Sequence, residues 1–262
     1  MAEFDGKTAI VTGGAKGIGR GISWALAREG AQVYCADVDV EAGRLLEEEA
    51  GGLAGVLRFV EADVGRSADC RRLVEGVLQE AGRVDILCNN AGIQPPHSYL
   101  PAHELPEDMW DRIIAVNLKA AFVLAALCVP AMRERGAGVI VNIASVQGLQ
   151  SAKGVSAYAA SKGGLLSLTR QLALEYGEFG IRSLAVNPGT IDTPLVDEAV
   201  EAFGGDKAEL VEEWKQTYPL RRIGQPADVA EAVLFLASER ASFITGEYLN
   251  VDGGIMARGS WG

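Results

Sequence analysis

The chain has 262 residues, of which 48% are hydrophobic and 23% charged, enough for one large α/β domain or two small ones. A formal net charge of −11 disfavours nucleic-acid binding, because the phosphate backbone would be repelled. The longest nearly uncharged apolar stretch, 120–132, is too short to span a bilayer. Residues 1–7 lack the pattern of a secretory signal, and the cysteines have no paired spacing, so we expect a cytoplasmic protein without membrane or nucleic-acid partners.

Short apolar segments alternate along the chain with longer helical patterns. The strands are predicted at 8–11, 32–36, 56–61, 86–89, 138–143, 182–186 and 248–251. The helices are predicted at 19–29, 40–50, 67–81, 106–134, 155–179 and 226–238. This alternation predicts an α/β fold, a doubly wound (Rossmann) parallel sheet of about seven strands with helices on both faces. One domain is expected over 1–262, with an irregular insertion at about 190–219.

The first strand leads directly into a glycine-rich turn, Thr12-Gly-Gly-Ala-Lys-Gly-Ile-Gly19. A helix that begins in such a turn directs its first N–H groups to one point, which suits a phosphate. The glycines permit the tight turn, the close approach of a pyrophosphate and the close packing of helix on strand. A plain glycine-rich turn is the alternative. The predicted phosphate site comprises Gly13, Lys16, Gly17, Ile18 and Gly19.

An acidic residue, Asp37, ends the second strand, 18 positions after Gly19. A carboxylate there can accept hydrogen bonds from the two hydroxyls of the adenine ribose and would repel a 2′-phosphate. It therefore favours NAD over NADP. Lys16 opposes this prediction, because a cation in the turn would attract the 2′-phosphate of NADP. Asp39 supports it, because a second carboxylate adds to the negative charge there. The alternative is that Asp37 only caps the helix that begins near Val40.

The ends of the third and fourth strands also suit a dinucleotide that lies across the edge of the sheet. Asp63 and Val64 follow the third strand, at a position where they could bind the adenine. Asn90, Ala91 and Gly92 follow the fourth strand, where small residues and an amide side chain leave room for the cofactor.

Several motifs along the chain together resemble the short-chain dehydrogenase/reductase family, in its single-domain branch. The resemblance extends over essentially the whole chain, from Gly6 to the segment 252–254. The motifs are Thr12-Gly-x-x-x-Gly-x-Gly19, Asn89-Asn-Ala-Gly92, Asn117, Ser145, Tyr158-x-x-x-Lys162 and Pro188-Gly189.

Tyr158 and Lys162 lie four residues apart and therefore share one face of a predicted helix. A nearby ammonium favours a phenolate and lowers the pKa of the tyrosine, which makes Tyr158 a better general base. The resemblance implies that Lys162 also binds the nicotinamide ribose and that Ser145 holds the substrate oxygen. It further implies that Asn117, in the long helix 106–134, holds a water that joins Lys162 to solvent; an ordinary helix position is the alternative for Asn117.

The loop after the sixth strand turns at Pro188 and Gly189. The resemblance implies that the backbone of Ile191 and the hydroxyl of Thr193 bind the carboxamide of the nicotinamide, with a plain loop as the alternative. The stretch 195–219 resembles the mobile lid over the substrate in this family. Trp214 and Tyr218 either line the substrate pocket or anchor this lid on the core.

The sequence says less about the substrate and the assembly. The candidate substrate residues are polar and favour a hydroxyl-rich substrate such as a polyol or sugar. They are Gln94, Gln147, Gln150, Asp192 and the loop 95–103. No metal site is expected, because the two histidines have no third ligand at a useful spacing. Small residues on the helices 106–134 and 155–179, with the resemblance, predict a homodimer at least and more readily a homotetramer. The tail 256–262, with Trp261, either closes a pocket or is a frayed end.

The main functional hypothesis is an NAD-dependent dehydrogenase that acts on a secondary alcohol or its ketone. A second enzymatic hypothesis is the NADPH-dependent reduction of 3-oxoacyl groups on a carrier protein, which Lys16 favours and Asp37 opposes. A third is a binding protein that senses NAD without catalysis; the presence of Asn117, Ser145 and the Tyr158–Lys162 pair opposes it.

Overall fold

The computed structural model describes residues 2–204 and 206–258, so Trp261 and the end of the tail lie outside the described residues. Within them, seven parallel strands form one sheet in the order β3-β2-β1-β4-β5-β6-β7. The predicted doubly wound sheet is thereby confirmed, with its order reversing between β1 and β4. The strands are β1 Thr8–Thr12, β2 Gln32–Asp37, β3 Val56–Glu61, β4 Ile86–Asn89, β5 Gly138–Ile143, β6 Ile181–Pro188 and β7 Tyr248–Val251.

Nine α-helices connect or follow the strands in the described ranges. They are α1 Gly17–Arg28, α2 Val40–Glu49, α3 Ser67–Ala81, α4 Glu107–Ile114, α5 Ala120–Arg135, α6 Ser156–Tyr176, α7 Pro194–Phe203, α8 Lys207–Thr217 and α9 Pro226–Ala237. The insertion at about 190–219, which the sequence predicted to be irregular, contains the two helices α7 and α8.

Both faces of the sheet are covered by helices, because alternate strand residues point to opposite sides. On β1, Ala9 and Val11 face a core shared with α1 and α9, whereas Ile10 faces the core formed with α3 and α5. All three side chains are buried. The carboxyl ends of the strands therefore remain as the edge at which a ligand can bind.

The predicted helix 106–134 is one continuous helix in which α4 and α5 are joined by a π-helical turn, Ala115–Lys119. Over 29 residues, Glu107–Arg135, it is long and apolar enough to cross a membrane by length and composition. Half of its most apolar window is buried within the domain, and α5 packs against α3 and β4. This packing is that of a core helix.

Candidate active site

A cleft of about 740 Å³ opens at the carboxyl edge of the sheet, beside the point where the strand order reverses. The structure describes all the residues predicted for catalysis and for cofactor binding, and among these Asn117 alone does not line the cleft. The lining residues predicted for the cofactor are Gly13, Lys16, Gly17, Ile18, Gly19, Asp37, Asp63, Val64, Asn90, Ala91, Gly92, Tyr158, Lys162, Pro188, Gly189, Ile191 and Thr193. Ser145, Gln94, Gln147 and Gln150 line the same cleft.

The glycine turn has the geometry that a phosphate group requires. Gly13 and Gly17 have φ values of +59° and +51°, in the left-handed region that favours glycine. A Cβ on Gly19 would overlap the carbonyl oxygen of Gly13, so a side chain there would fill the turn. No side chain of the described residues caps the start of α1. A helix N-terminus in a side-chain-free turn fits the pyrophosphate of a dinucleotide.

Asn90 shapes this turn from the neighbouring strand. Its Nδ2 donates hydrogen bonds of 2.9 Å to the carbonyl oxygens of both Thr12 and Gly13. Its backbone N–H donates to the Thr12 hydroxyl at 3.1 Å. The amide side chain predicted to meet the cofactor therefore holds the turn in place, although Asn90 still lines the cleft.

Asp37 lies beside the glycine turn with its carboxylate fixed by backbone N–H groups. One oxygen accepts from Ala15 at 3.0 Å and the other from Asp39 at 3.0 Å. Asp39, not Asp37, caps α2 through the N–H of Ala42, so the capping alternative for Asp37 is wrong. Lys16 forms an ion pair with Asp39, and their hydrogen bond raises the pKa of Lys16 and lowers that of Asp39.

Asp63 has a partner that the sequence did not reveal. Both of its carboxylate oxygens accept from the Arg112 guanidinium at 3.2 Å, and one also accepts the N–H of Gly65 at 3.0 Å. Arg112 comes from α4 and lines the cleft beside Val64. Because the two partners are 49 positions apart, only the tertiary fold brings them together.

Lys162 and Tyr158 lie at the opposite end of the cleft, on α6. Lys162 is 3% exposed, and its Nζ donates a 2.8 Å hydrogen bond to the carbonyl oxygen of Ile143. Burial lowers the pKa of Lys162 to about 8. Burial also raises the pKa of Tyr158 to about 12, offset in part by a hydrogen bond from Ser145. The expected lowering of the tyrosine pKa by Lys162 is therefore wrong for this arrangement, in which desolvation dominates.

Ser145 directly follows β5 and is buried. Its hydroxyl accepts the N–H of Gln147 at 3.1 Å, which starts a short 3₁₀ turn, and it lies close enough to the Tyr158 phenol to lower the pKa of that group. Two hydroxyl groups thus lie together in one cleft with the glycine turn and Asp37. A substrate oxygen placed between them would meet two hydrogen-bonding groups, one of which can exchange a proton.

Asn117 lies in the π-helical turn, behind the cleft wall, and is 2% exposed. Its Oδ1 accepts the N–H of Ile93 at 2.8 Å, and its Nδ2 donates to the carbonyl of Ile93 at 3.0 Å and to the Ser161 hydroxyl at 3.3 Å. Both amide hydrogens are used by the protein. In this structure the Asn117 side chain positions the segment after β4, which differs from the water-holding role implied by resemblance.

Tyr218 both anchors the lid and lines the cleft. The Tyr218 hydroxyl accepts the N–H of Thr190 at 2.7 Å and donates to the Thr190 hydroxyl at 2.8 Å. A Cβ on Gly189 would come within 3.1 Å of the Tyr218 ring, so the loop and the lid pack closely. Trp214 lines the cleft. The Thr193 hydroxyl donates to the carbonyl of Ile191 at 3.1 Å, which folds the loop back on itself.

The substrate end of the cleft differs from the expectation in several residues. Asp192 is exposed and pairs with Lys207, and it does not line the cleft. Tyr99 and Glu198 do line it; Tyr99 belongs to the predicted substrate loop 95–103, whereas Glu198 was not predicted to be a site residue. No sequence pattern distinguishes Glu198 from the other acidic residues of α7, so only the tertiary structure identifies it.

Comparison with known proteins agrees with this geometry. The family model described as "Enoyl-(Acyl carrier protein) reductase" matches residues 13–256. The chain is 40% identical to L-fucose dehydrogenase of Oryctolagus cuniculus, over 97% of this chain and 86% of that protein. It is 38% identical to a 3-oxoacyl-acyl-carrier-protein reductase of Thermotoga maritima, over 97% and 99%. The crystal structure of levodione reductase superposes with a TM-score of 0.94 at 33% identity, over 98% and 100%.

The fold and this cleft define a nicotinamide-dependent oxidoreductase that acts on hydroxyl groups or the corresponding ketones. The chain belongs to the short-chain dehydrogenase/reductase family, as the motifs suggested.

Proposed function

We propose that this protein is an NAD-dependent dehydrogenase that interconverts a secondary alcohol and its ketone on a hydroxyl-rich small molecule, such as a polyol or sugar. The observation that carries the proposal is the shared cleft, in which the Ser145–Tyr158 hydroxyl pair lies at one end and the glycine turn with Asp37 at the other. The similarity to L-fucose dehydrogenase supports a sugar-like substrate.

The chain offers a complete set of groups for the cofactor, which accepts or supplies the hydride when it is bound. The turn 13–19 would hold the pyrophosphate, and Asp37 the hydroxyls of the adenine ribose. Asp63 and Val64 would meet the adenine, with Asn90, Ala91 and Gly92 along the middle of the cleft. The remaining groups would bind the nicotinamide end, and these are Tyr158, Lys162, Pro188, Gly189, Ile191 and Thr193.

The proton steps are assigned to α6 and to the end of β5. Ser145 holds the substrate oxygen, and Tyr158 takes the hydroxyl proton of the alcohol as the hydride leaves its carbon, or returns that proton to the ketone oxygen in reduction. With a pKa of about 12, Tyr158 holds its proton at neutral pH and is ready for the reduction direction. Oxidation requires the phenolate, which a shift of Lys162 from the Ile143 carbonyl towards the phenol would favour.

The preference for NAD rests on the two acidic residues near the turn. Asp37 is held by two backbone N–H groups, and Lys16, the cation that would suit a 2′-phosphate, is paired with Asp39. The alternative, an NADPH-dependent 3-oxoacyl-carrier reductase, is favoured by the similarity to the Thermotoga maritima reductase. The net charge of −11 opposes it, since carrier proteins are themselves acidic.

We also propose a cytoplasmic homotetramer built from dimers. An exposed apolar stripe runs along α5 through Phe122, Ala126 and Pro130, although the opposite side of that helix is buried in the core. A helix that is apolar on all sides is typical of one covered on both sides, here by a second copy of the chain. Light scattering at working concentration tests this, and a strict monomer would contradict it.

The decisive experiment is a panel of alcohols, polyols and aldoses assayed with NAD and with NADP by absorbance of the reduced cofactor. We expect turnover with NAD and a loss of at least about 100-fold in Tyr158→Phe, with NADH binding retained. Tyr176→Phe, on the same helix, is the matched control and should keep full activity. A strong preference for NADPH would favour the carrier-protein hypothesis. Turnover that survives in Tyr158→Phe would overturn the mechanism, and NADH binding without turnover of any substrate would favour the sensor hypothesis.

A further inference from the structure

Glu198 is distinguished from the other acidic residues of the cleft by the absence of a partner. Asp39 pairs with Lys16, and Asp63 pairs with Arg112. Asp37 accepts two backbone N–H groups. Among residues 2–204 and 206–258, the Glu198 carboxylate forms no ion pair and accepts no hydrogen bond.

The orientation of α7 explains why Glu198 alone faces the cleft. Its neighbour Asp197 turns to Lys207 at the start of α8, and Glu201, almost one turn further along, is exposed to solvent. Glu198 is half-buried and lines the same cleft as Ser145 and Tyr158. Burial raises the pKa of Glu198, with smaller contributions from Glu201 and Asp197. A carboxylate that is partly withdrawn from water gains more from a hydrogen-bond donor than an exposed one does.

Tyr99 lines the cleft together with Glu198 and Tyr158. Burial raises the pKa of Tyr99 to about 12, and Tyr158 and Glu198 contribute to the same shift. Tyr99 therefore lies within electrostatic range of both. Gln147 and Gln150, which are neutral and polar, line the same cleft.

We propose that Glu198 is a specificity-determining residue, which accepts a hydrogen bond from a substrate hydroxyl other than the one that is oxidised and which disfavours anionic substrates. This inference rests on the proposed dehydrogenase function and names its substrate class more closely. Neutral hydroxyls suit the polar surroundings, whereas an ammonium substituent would be repelled by Lys162 at the reacting end. A phosphopantetheine arm carries a phosphate, so Glu198 also disfavours a carrier-protein substrate.

The test compares three ring-matched substrates with NAD: cyclohexanol, the cyclohexanediols and 4-hydroxycyclohexanecarboxylate. The variants are Glu198→Gln, Glu198→Ala and, as the matched control on the same helix, Glu201→Gln. In both Glu198 variants, kcat/KM for the best diol should fall about tenfold relative to cyclohexanol, since hydrogen bonds to charged groups have this magnitude. The hydroxy acid should gain several-fold relative to cyclohexanol as repulsion is removed. Glu201→Gln should leave both ratios within about twofold.

Ratios to cyclohexanol separate a change in specificity from a general loss of activity. If neither ratio moves in Glu198→Gln and Glu198→Ala, although the wild-type enzyme oxidises all three substrates, the assignment of Glu198 is overturned and the proposed function stands. If the wild-type protein oxidises none of them, the wider panel of alcohols, polyols and aldoses decides the proposed function. Calorimetric binding of the diols in the presence of NAD then decides the role of Glu198: weaker binding in Glu198→Gln supports it, and unchanged or undetectable binding overturns it.

Discussion

The Nζ of Lys162 lies 5.5 Å from the centre of the Tyr158 ring, yet it donates its hydrogen bond to the carbonyl of Ile143. The cation is close enough to affect the phenol but is not bonded to it. Burial therefore controls both groups, lowering the pKa of Lys162 to about 8 and raising that of Tyr158 to about 12. In this arrangement Lys162 releases its proton more readily than an ordinary lysine, and Tyr158 releases its proton less readily than an ordinary tyrosine.

The first prediction concerns stability and pH at Lys162. Its pKa in the folded protein is about 8, below the ordinary value of 10.5, so between these pH values the unfolded chain holds a proton that the folded chain has released. Stability contributed at this site therefore rises with pH across that window and is lowest below pH 8, where the buried ammonium carries its full desolvation cost. Relative to Lys162→Met, the wild-type protein should gain at most about 3 kcal/mol between pH 7 and pH 10.

Urea unfolding of both proteins at several pH values between 7 and 10 measures this difference. The exposed Lys153→Met, a few residues before the same helix, controls for the loss of a lysine as such and should show no comparable trend. Tyr158 is present in every variant, so its titration cancels from the comparison. A difference between wild type and Lys162→Met that stays constant with pH would show that Lys162 is not desolvated as described.

The pattern of strands and helices could be predicted from the sequence because each element carries its own periodicity of apolar residues. The strand β3 begins and ends where the alternation places it, and β2 is extended by one residue to include Asp37. The spacing of Tyr158 and Lys162 likewise placed both in one cleft. The direction of the tyrosine pKa shift could not be predicted, because it depends on how deeply the fold buries the group and on which carbonyl the lysine meets.

Other parts of the site depend on contacts between distant segments. The Asp63–Arg112 pair and the bonds between Asn117 and Ile93 join residues 49 and 24 positions apart. The π-helical turn around Asn117 interrupts a helix whose sequence is continuous and apolar, without a proline or glycine to mark the change. The sequence also does not show which of the three acidic residues of α7 faces the cleft. That it is Glu198 depends on the orientation of the helix in the folded protein.

The second prediction concerns cofactor choice at Asp37. In Asp37→Ser, the ratio of kcat/KM with NAD to that with NADP should fall about 10- to 100-fold, because a charged acceptor for the ribose hydroxyls and the repulsion of the 2′-phosphate are both lost. Asp39→Asn frees Lys16 while keeping Asp37 and is the matched control. It should change the ratio much less. If Asp39→Asn shifts the preference as far as Asp37→Ser does, the choice of cofactor rests on Lys16 instead.

The third prediction concerns the glycine turn at Gly19. A methyl group there would overlap the carbonyl oxygen of Gly13 and crowd Nδ2 of Asn90, so the turn must open. Gly19→Ala should destabilise the protein by about 1–3 kcal/mol and weaken NADH binding about tenfold or more. Gly76→Ala on α3, an exposed site with nothing within 4 Å of the added methyl, should instead stabilise by about 0.5–1 kcal/mol. Urea unfolding and NADH fluorescence measure the two effects; unchanged NADH binding in Gly19→Ala would count against the phosphate site.

The fourth prediction separates the positioning role of Asn117 from a general loss of packing. Asn117→Ala leaves the N–H and the carbonyl of Ile93 without their partners, which should cost about 2–3 kcal/mol of stability and lower turnover by loosening the segment that leads to Gln94. Asn117→Asp keeps the acceptor for the Ile93 N–H but places a buried carboxylate oxygen against the Ile93 carbonyl oxygen, so it should be at least as unstable as Asn117→Ala. Lys119→Ala, exposed in the same π-helical turn, is the control and should behave like the wild type.

Urea unfolding gives the order of stability, and steady-state kinetics with separate KM values for NAD and for the alcohol give the functional effect. If Asn117 acts through Ile93, the KM for the alcohol should rise more than the KM for NAD, because the affected segment continues into Gln94 and Tyr99 at the substrate end of the cleft. A fall in kcat with both KM values unchanged would instead indicate that Asn117 acts on the proton steps at Tyr158 and Lys162, as the resemblance to the family implied. The ranking of the alanine, aspartate and wild-type proteins by stability then shows whether the hydrogen bonds to Ile93 contribute at all.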